Sequence, residues 1–294
     1  MLAYNVLVAL WGAYVRATGA GAGCGKHWPL CNGDVVPLSG NVKSLIEYTH
    51  RATSGIDVAL VAVMALWAFR AFPKRHPVRL GATLSAIFLF TEALLGASLV
   101  LLEHVAGNTS PMRAYSQSAH LINTLVLLAV LALTAWWTGG NPRLRLRGKP
   151  AWMAAATLGA VVLLGVTGAI AALGDTLFPA QSLAQGFARD LDPSASIFVR
   201  VRVFHPAIAV AAAAWLIFYT VGGAARQPDM RSRAWLVLGL LGAQLTAGVF
   251  NLLLMAPVWL QIVHLLLAYA VWISLVLFCA ETLKYSSKTS DMSV

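Results

Sequence analysis

Long apolar segments alternate with short polar ones along this chain. The apolar stretches lie near residues 2–17, 46–69, 80–102, 117–138, 151–173, 201–222, 234–255 and 259–281. An apolar segment of about 20 residues can cross a bilayer as a helix. The first stretch begins almost at Met1, so we expect it to be the shortest. The pattern predicts an all-α integral membrane protein with about eight transmembrane helices.

Composition supports this prediction, and the placement of charge adds a topology. Of the 294 residues, 59% are hydrophobic and 11% are charged, whereas a soluble domain carries about 25% charged residues. Lysine and arginine gather in alternate connections, at 70–79, 143–149, 226–233 and 284–288. Positive residues collect on the cytoplasmic side of a membrane. We therefore expect a multi-pass protein of the cell membrane with both termini cytoplasmic, and no nucleic-acid partner despite the net charge of +10.

Four histidines lie a few residues inside the start of separate apolar segments, at matching depths near the outer face. They are His50, His120, His205 and His264. A single histidine in a membrane can simply bond two helices together, but four at equal depth are hard to explain as packing. Ionisable residues in membranes are functional candidates, and neutral imidazole is a common axial ligand of haem iron. The pattern predicts two haem sites, each held by two histidines.

The first four predicted helices resemble the last four. "GAYVRATG" at 12–19 parallels "GAIAALGD" at 168–175, and the histidines recur at corresponding places. The third and seventh helices allow two registers: one aligns their "LLGA" strings, and the other sets Glu92 opposite Gln244. Halves with an even number of helices share one orientation, which places their symmetry axis along the membrane normal.

This repeat divides the chain into two pseudo-symmetric four-helix bundles. We expect an N-terminal half at 1–140, a cytoplasmic linker at 141–150, a C-terminal half at 151–284 and a cytoplasmic tail at 285–294. The loops at 18–45, 103–116 and 174–200 would then face outward.

An acid distinguishes the two halves. Glu47 precedes His50 by three residues, so it lies on the same helix face, one turn outward. The repeat puts Arg202 at the equivalent position. A carboxylate can accept a proton or trap a cationic intermediate, whereas an arginine would pair with a haem propionate. Glu47 is our candidate catalytic residue, with Arg51 and Arg202 as candidate cofactor-binding residues; the alternative is that Glu47 only balances Arg51.

Two further features leave their roles open. Glu92 could share a polar network with Arg51, conduct protons, or be a packed acid bonded to a neighbour. Cys24 and Cys31 lie in "CGKHWPLCNG", within a loop predicted to face an oxidising compartment, where disulfides persist. We predict a disulfide between them, acting as a loop staple or as a redox relay.

With these motifs together, the chain resembles the haem A synthase family along essentially its whole length. The resemblance rests on "RATGAGAGC", "WPLCNG", "EYTHR" and the histidines of helices four, six and eight. It implies oxidation of a ring methyl of haem O to a formyl, through a hydroxymethyl intermediate, which gives haem A for terminal oxidases. It also implies that His50 and His120 hold the substrate haem, while His205 and His264 hold a permanent haem b. Glu92 departs from the family, which often has glutamine there.

The resemblance also implies partners. These are haem O as substrate, a haem O synthase, terminal-oxidase assembly factors and a membrane electron donor or acceptor; a homo-oligomer is possible. The main alternative is a bis-histidine b-type cytochrome that transfers electrons from quinol without altering its haems. That alternative explains four histidines equally well, but not an acid beside one haem only. A transporter would need a continuous polar pathway, and a di-iron enzyme would need several inward carboxylates.

Overall fold

Long apolar helices build the protein, whose computed structural model describes residues 1–37 and 41–289. Within these residues, seven helices are long and apolar enough to cross a membrane. A shorter apolar helix, Leu2–Ala17, accompanies them. The prediction of an all-α multi-span membrane protein is confirmed.

The helices follow the predicted order. In the first half they are α1 (Leu2–Ala17), α2 (Val42–Ala71), α3 (Pro77–Leu101) and α4 (Pro111–Thr138). In the second half they are α5 (Gly148–Leu177), α6 (Leu183–Asp190), α7 (Ile197–Arg202), α8 (Phe204–Arg226), α9 (Arg231–Leu253) and α10 (Val258–Thr289). Residues 290–294 of the predicted tail lie outside the described residues.

Several helices begin before the apolar segment that predicted them. Helix α2 begins at Val42, where the Asn41 side chain accepts a hydrogen bond of 3.0 Å from the Lys43 N–H and so caps the first turn. Helix α4 begins at Pro111, because proline suits the first helical turn, where its missing N–H costs nothing. The first turns therefore extend both helices beyond the apolar segments that predicted them.

The loop predicted at 174–200 contains two short helices that the sequence did not suggest. Ser182 caps α6 by accepting a hydrogen bond from the Gln185 N–H, and α7 ends at Arg202, directly before α8. These helices connect α5 to α8, as the cysteine loop connects α1 to α2 in the first half.

The two halves share a buried apolar interface. Leu10 of α1, Leu128 of α4 and Tyr269 of α10 belong to one buried cluster. In the same region the Trp272 Nε1–H donates to the Leu125 carbonyl oxygen at 2.7 Å. Helix α10 therefore packs against the first half as well as its own, which fixes the position of one histidine site relative to the other.

Candidate functional site

Each of the four histidines lies close to a glycine of the preceding long helix. The pairs, with the distance from the position a β-carbon would take to the nearest imidazole atom, are Gly12–His50 (3.0 Å), Gly96–His120 (3.8 Å), Gly168–His205 (2.9 Å) and Gly248–His264 (3.1 Å). At three of these glycines a β-carbon would press on the ring, so only glycine permits this approach. A glycine therefore lies against each of the four imidazoles, twice in each half, and the approach is tight at three of them.

These glycines decide between the two registers of the third and seventh long helices. Gly96 and Gly248 both face an imidazole, whereas Gly242, the partner of Gly96 in the "LLGA" register, has open space around its β-carbon position. Glu92 lies four residues before Gly96, and Gln244 lies four residues before Gly248. The register that pairs Glu92 with Gln244 is therefore correct, and the one that aligns the "LLGA" strings is wrong.

The histidines lie within electrostatic range of each other in the predicted pairs. His120 is the histidine that acts electrostatically on His50, and His264 is the one that acts on His205. Within the described residues no group of three or more His, Cys, Asp and Glu side chains could hold a metal ion. The arrangement is one of two histidine pairs rather than one multidentate metal site.

The imidazole nitrogens suit an axial bond to iron. The buried Nδ1 atoms of His50, His120 and His264 make no hydrogen bond to the part of the chain that the structure describes, although His120 Nδ1 lies 3.2 Å from Glu92 Oε1. His205 Nδ1 lies 3.0 Å from Thr167 Oγ1. Buried polar atoms normally have partners, so rings with unsatisfied nitrogens, pressed against glycines, fit a ligand that they bind. Haem, with two imidazoles as axial ligands, meets that need.

Glu47 is buried and held at both carboxylate oxygens. Its Oε1 accepts a hydrogen bond of 2.6 Å from Arg51, and its Oε2 accepts one of 2.9 Å from the Cys24 backbone N–H. Arg51 also donates to the carbonyl oxygens of His27 and Leu30, at 2.5 Å each. The ion pair that balances Arg51 is thus present, and the loop around it fixes the carboxylate in place.

The cysteine loop forms this holder. Cys24 and Cys31 are joined by a disulfide, as the sequence predicts. Gly23 lets the loop approach α2, because a β-carbon there would lie 2.5 Å from the Lys43 backbone, and Ser44 Oγ donates to the Gly23 carbonyl oxygen at 2.5 Å. Sequence reasoning missed this link between the loop and Glu47, since most of the contacts use backbone atoms, which carry no residue signature.

At the position equivalent to Glu47, the second half carries Arg202, which is bound by two aspartates. Arg202 Nε lies 2.6 Å from Asp190 Oδ1, and its NH1 lies 3.0 Å from Asp175 Oδ1. Its NH2 donates to the Gly186 carbonyl oxygen at 3.3 Å. All three nitrogens of this guanidinium therefore have protein partners, and the predicted pairing of Arg202 with a propionate stays a prediction.

Glu92 belongs to a polar cluster on the imidazole of His120. Its Oε2 accepts a hydrogen bond of 2.5 Å from Asn123 Nδ2, and its Oε1 accepts one from Thr124 Oγ1. Arg51 binds Glu47 instead. Among the alternatives for Glu92, these hydrogen bonds match an acid bonded to its neighbours. At the equivalent place in the second half, Gln244 Nε2 lies 3.3 Å from His264 Nε2.

Residues 1–276 match the COX15-CtaA family, described as cytochrome oxidase assembly proteins. The chain is 51% identical over 296 residues to a protoheme IX farnesyltransferase of Thermus thermophilus, covering 99% of this chain and 49% of that protein. It is 38% identical over 129 residues to the haem A synthase of Halalkalibacterium halodurans, covering 43% of this chain and 42% of that protein. The haem A synthase of an Exiguobacterium species is 40% identical over 96 residues, or 33% of this chain and 32% of that protein. The chain spans about half the length of the Thermus relatives it matches.

Proposed function

This chain belongs to the haem A synthase family, COX15-CtaA, and we propose that it oxidises a ring methyl of haem O to the formyl of haem A. The reaction removes two electrons and two protons as the methyl and a water become a hydroxymethyl. A second loss of two electrons and two protons gives the formyl, through a hydrated aldehyde that loses water. The electrons leave to an acceptor in the membrane.

The observation that carries this proposal is the buried Glu47 beside one histidine pair only. An electron-transfer cytochrome has no use for a buried carboxylate on the histidine-bearing segment of one half only. Here the corresponding position in the second half carries Arg202. An enzyme that alters one haem and keeps the other needs this kind of asymmetry.

Each histidine pair has its own role in the proposal. His50 and His120 bind the iron of the substrate, haem O, and orient its ring. His205 and His264 bind a resident haem b, which supplies one-electron transfer between the substrate site and the membrane acceptor. The glycine contacts described above support both roles, because they hold the imidazoles against rotation.

Glu47 stabilises positive charge on the substrate. Two donors, Arg51 and the Cys24 N–H, fix its carboxylate where water is largely excluded, since its exposed fraction is 3%. Fixed charge in such a place stabilises an opposite charge that develops in the transition state. Oxidation of the methyl carbon develops positive charge, which Glu47 would stabilise until water attacks the carbon. This route leaves both histidines bound to the iron.

The proposal extends to topology and to the supply of substrate. The arginines and lysines at 70–79 and 143–149 favour a cytoplasmic position for those connections, so the histidine sites would lie toward the outer face. The Thermus relative, twice as long, is named for farnesyl transfer to protohaem. An enzyme of that kind makes a farnesylated haem, the class of substrate proposed here, so we propose a haem O synthase as the partner.

Haem analysis tests the proposal. The protein is produced in cells that make haem O but have no other haem A synthase, and total haem is extracted and examined by mass spectrometry. We expect haem A together with some hydroxymethyl haem. Cells that contain the folded, haem-loaded protein yet yield only haem O and protohaem would favour the cytochrome instead.

A further inference from the structure

Two arginines near the histidine sites bind only neutral groups within the part of the chain that the structure describes. Arg16 of α1 donates from NH1 to the Ala172 carbonyl oxygen and to Thr176 Oγ1, and from NH2 to Gln261 Oε1, at 2.9 Å each. Arg51 and Arg202, by contrast, each contact a carboxylate. The positive charge of Arg16 therefore lacks the direct counter-charge that Arg51 and Arg202 have.

Arg113 of α4 is in the same situation and more deeply buried. Its NH1 donates to the carbonyl oxygens of Ala106 and Asn108. Its exposed fraction is 2%, and its buried Nε makes no hydrogen bond to any described residue. Burying a cation without a counter-ion costs several kcal/mol in general, so a guanidinium with an unsatisfied N–H in this position fits an anionic ligand.

The two cations also lie within electrostatic range of each other. Arg113 is close enough to Arg16 to repel it, and Asp175 is the acid that acts on Arg16. Asp175, however, directs its Oδ1 to Arg202 at 3.0 Å. Two like charges brought together where water is scarce are stabilised by an anion that both can contact.

Both arginines lie on faces that lead to the first histidine pair. Arg16 follows Gly12 by four residues, and Gly12 contacts His50; residues four apart share a helix face. Arg113 precedes His120 by seven residues, two turns along the same face of α4. Between Arg113 and His120 on α4 lies Gln117, whose buried Oε1 makes no hydrogen bond to the described residues. The cations thus lie outward of His50 and His120, at the end of the site where Glu47 also lies.

We propose that Arg16 and Arg113 bind the propionate carboxylates of the haem held by His50 and His120. This inference rests on the proposed function for the identity of that haem. Guanidinium binds carboxylate through paired, charge-assisted hydrogen bonds, and two propionates match two cations. Arg51 and Arg202, the candidate cofactor-binding residues, each pair with a carboxylate of the protein, so Arg16 and Arg113 take that role.

The anchor of Arg16 adds a consequence. Its acceptor Ala172 follows Gly168 by four residues, and its acceptor Gln261 precedes His264 by three. Gly168 and His264 belong to the second site. The guanidinium that receives the substrate carboxylate is therefore held by helices of the other half, and substrate binds where the two halves meet.

The test compares haem O with its dimethyl ester, which keeps the iron, the ring and the farnesyl chain but has no carboxylates. Purified protein with haem b in its second site is titrated with each ligand, and the affinities are read from the absorption change. A charge-assisted hydrogen bond contributes about 1.5–3 kcal/mol. We therefore expect Arg16→Gln or Arg113→Gln to weaken haem O binding about tenfold or more, and ester binding by less than about twofold.

The ratio of the two affinities within one variant removes the effect of partial misfolding, because damage to the fold weakens both ligands alike. Arg16→Lys keeps the positive charge but loses the paired hydrogen bonds of the guanidinium. Its ratio of haem O affinity to ester affinity should therefore fall between those of the wild type and Arg16→Gln. Arg200→Gln, which removes an exposed arginine of α7, is the matched control and should leave the ratio unchanged. An unchanged ratio in both the Arg16→Gln and Arg113→Gln proteins would overturn the inference.

The same measurement separates this inference from the proposed function. A protein that makes no haem A, yet prefers haem O to its ester through Arg16 and Arg113, contradicts the enzyme and keeps the carboxylate site. If the protein makes haem A but replacing either arginine leaves the affinity ratio unchanged, the proposed function stands and propionate binding by Arg16 and Arg113 is overturned.

Discussion

The two halves use the same contact to hold their imidazoles and differ in the charge around it. In both, a glycine of the preceding helix lies against each ring. The first half then presents Glu47 and Glu92, where the second presents Arg202 and Gln244. The glycine contacts are thus repeated and the charged groups are not, which is the asymmetry that the proposed function requires.

The connections that precede the first histidine of each half differ in the same way. In the first half, the disulfide loop positions Glu47 and Arg51. In the second half, Asp190 at the end of α6 positions Arg202. Each half keeps a buried ion pair beside its site. The charge next to the histidine is negative in the first half, at Glu47, and positive in the second, at Arg202. We propose on this basis that the first site is reactive and that the second holds a resident haem.

The largest effect should come from the histidines themselves, and it should differ between the halves. Replacing His205 by Ala removes a histidine that we propose holds haem b, so the purified protein should lose its low-spin haem b spectrum. Replacing His50 by Ala should leave that spectrum in place and abolish the binding of haem O. A His205→Ala protein with a full, unaltered low-spin spectrum would show that the two sites are wrongly assigned.

Glu47→Gln should be next in size. It keeps the shape of the side chain and leaves His50 in place, so the haem sites should survive. Loss of the fixed negative charge removes several kcal/mol of transition-state stabilisation, and the rate of haem A formation should fall about 100-fold or more. Cells with only this variant should accumulate haem O, as haem extraction would reveal.

Arg202→Gln is the matched variant in the other half. It should disturb the charge around haem b but still permit some haem A to form. If Glu47→Gln makes haem A at nearly the wild-type rate, the carboxylate serves only to balance Arg51, and the asymmetry between the halves has another meaning.

An exchange of Glu92 and Gln244 should have a smaller effect. Groups that contact a metal-binding imidazole tune the metal, and losing one typically costs about 10–100-fold in affinity or activity. We expect Glu92→Gln to lower turnover by about tenfold. Gln244→Glu should shift the midpoint potential of haem b downward, since it adds negative charge beside His264. An assay of haem A formation measures the first effect, and potentiometric titration measures the second. An unchanged potential in the Gln244→Glu protein would exclude a contact between residue 244 and the haem-binding His264.

The smallest effect on turnover should follow loss of the disulfide. Its loop is short, so replacing both Cys24 and Cys31 by Ser should lower the free energy of unfolding by about 2 kcal/mol. Turnover per folded protein should stay nearly intact, because the contact to Glu47 uses the backbone N–H of residue 24, which serine keeps. Denaturant unfolding in detergent and a parallel activity assay measure the two. A large loss of turnover in well-folded protein would favour a redox role for the cysteines.

The membrane architecture, the histidine positions and the cysteine pairing could all be predicted from the amino-acid sequence. Apolar segments partition into a bilayer through free energies that add along the chain, so local composition is enough to find the spans. The repeat was readable at Gly12 and Gly168, because both lie in matching strings. It stayed ambiguous at Gly96, where an apolar string offered a second register.

The contacts of each polar side chain, in contrast, emerged only from the packing of the helices and loops. That packing settled the register through the glycines that face His120 and His264, and it bound Arg51 to carbonyl oxygens of the cysteine loop. It also left Arg16 and Arg113 with neutral partners while Arg202 received two acids. Such contacts depend on the path of loops and on backbone atoms, which are the same in every residue, so no local pattern of side chains encodes them.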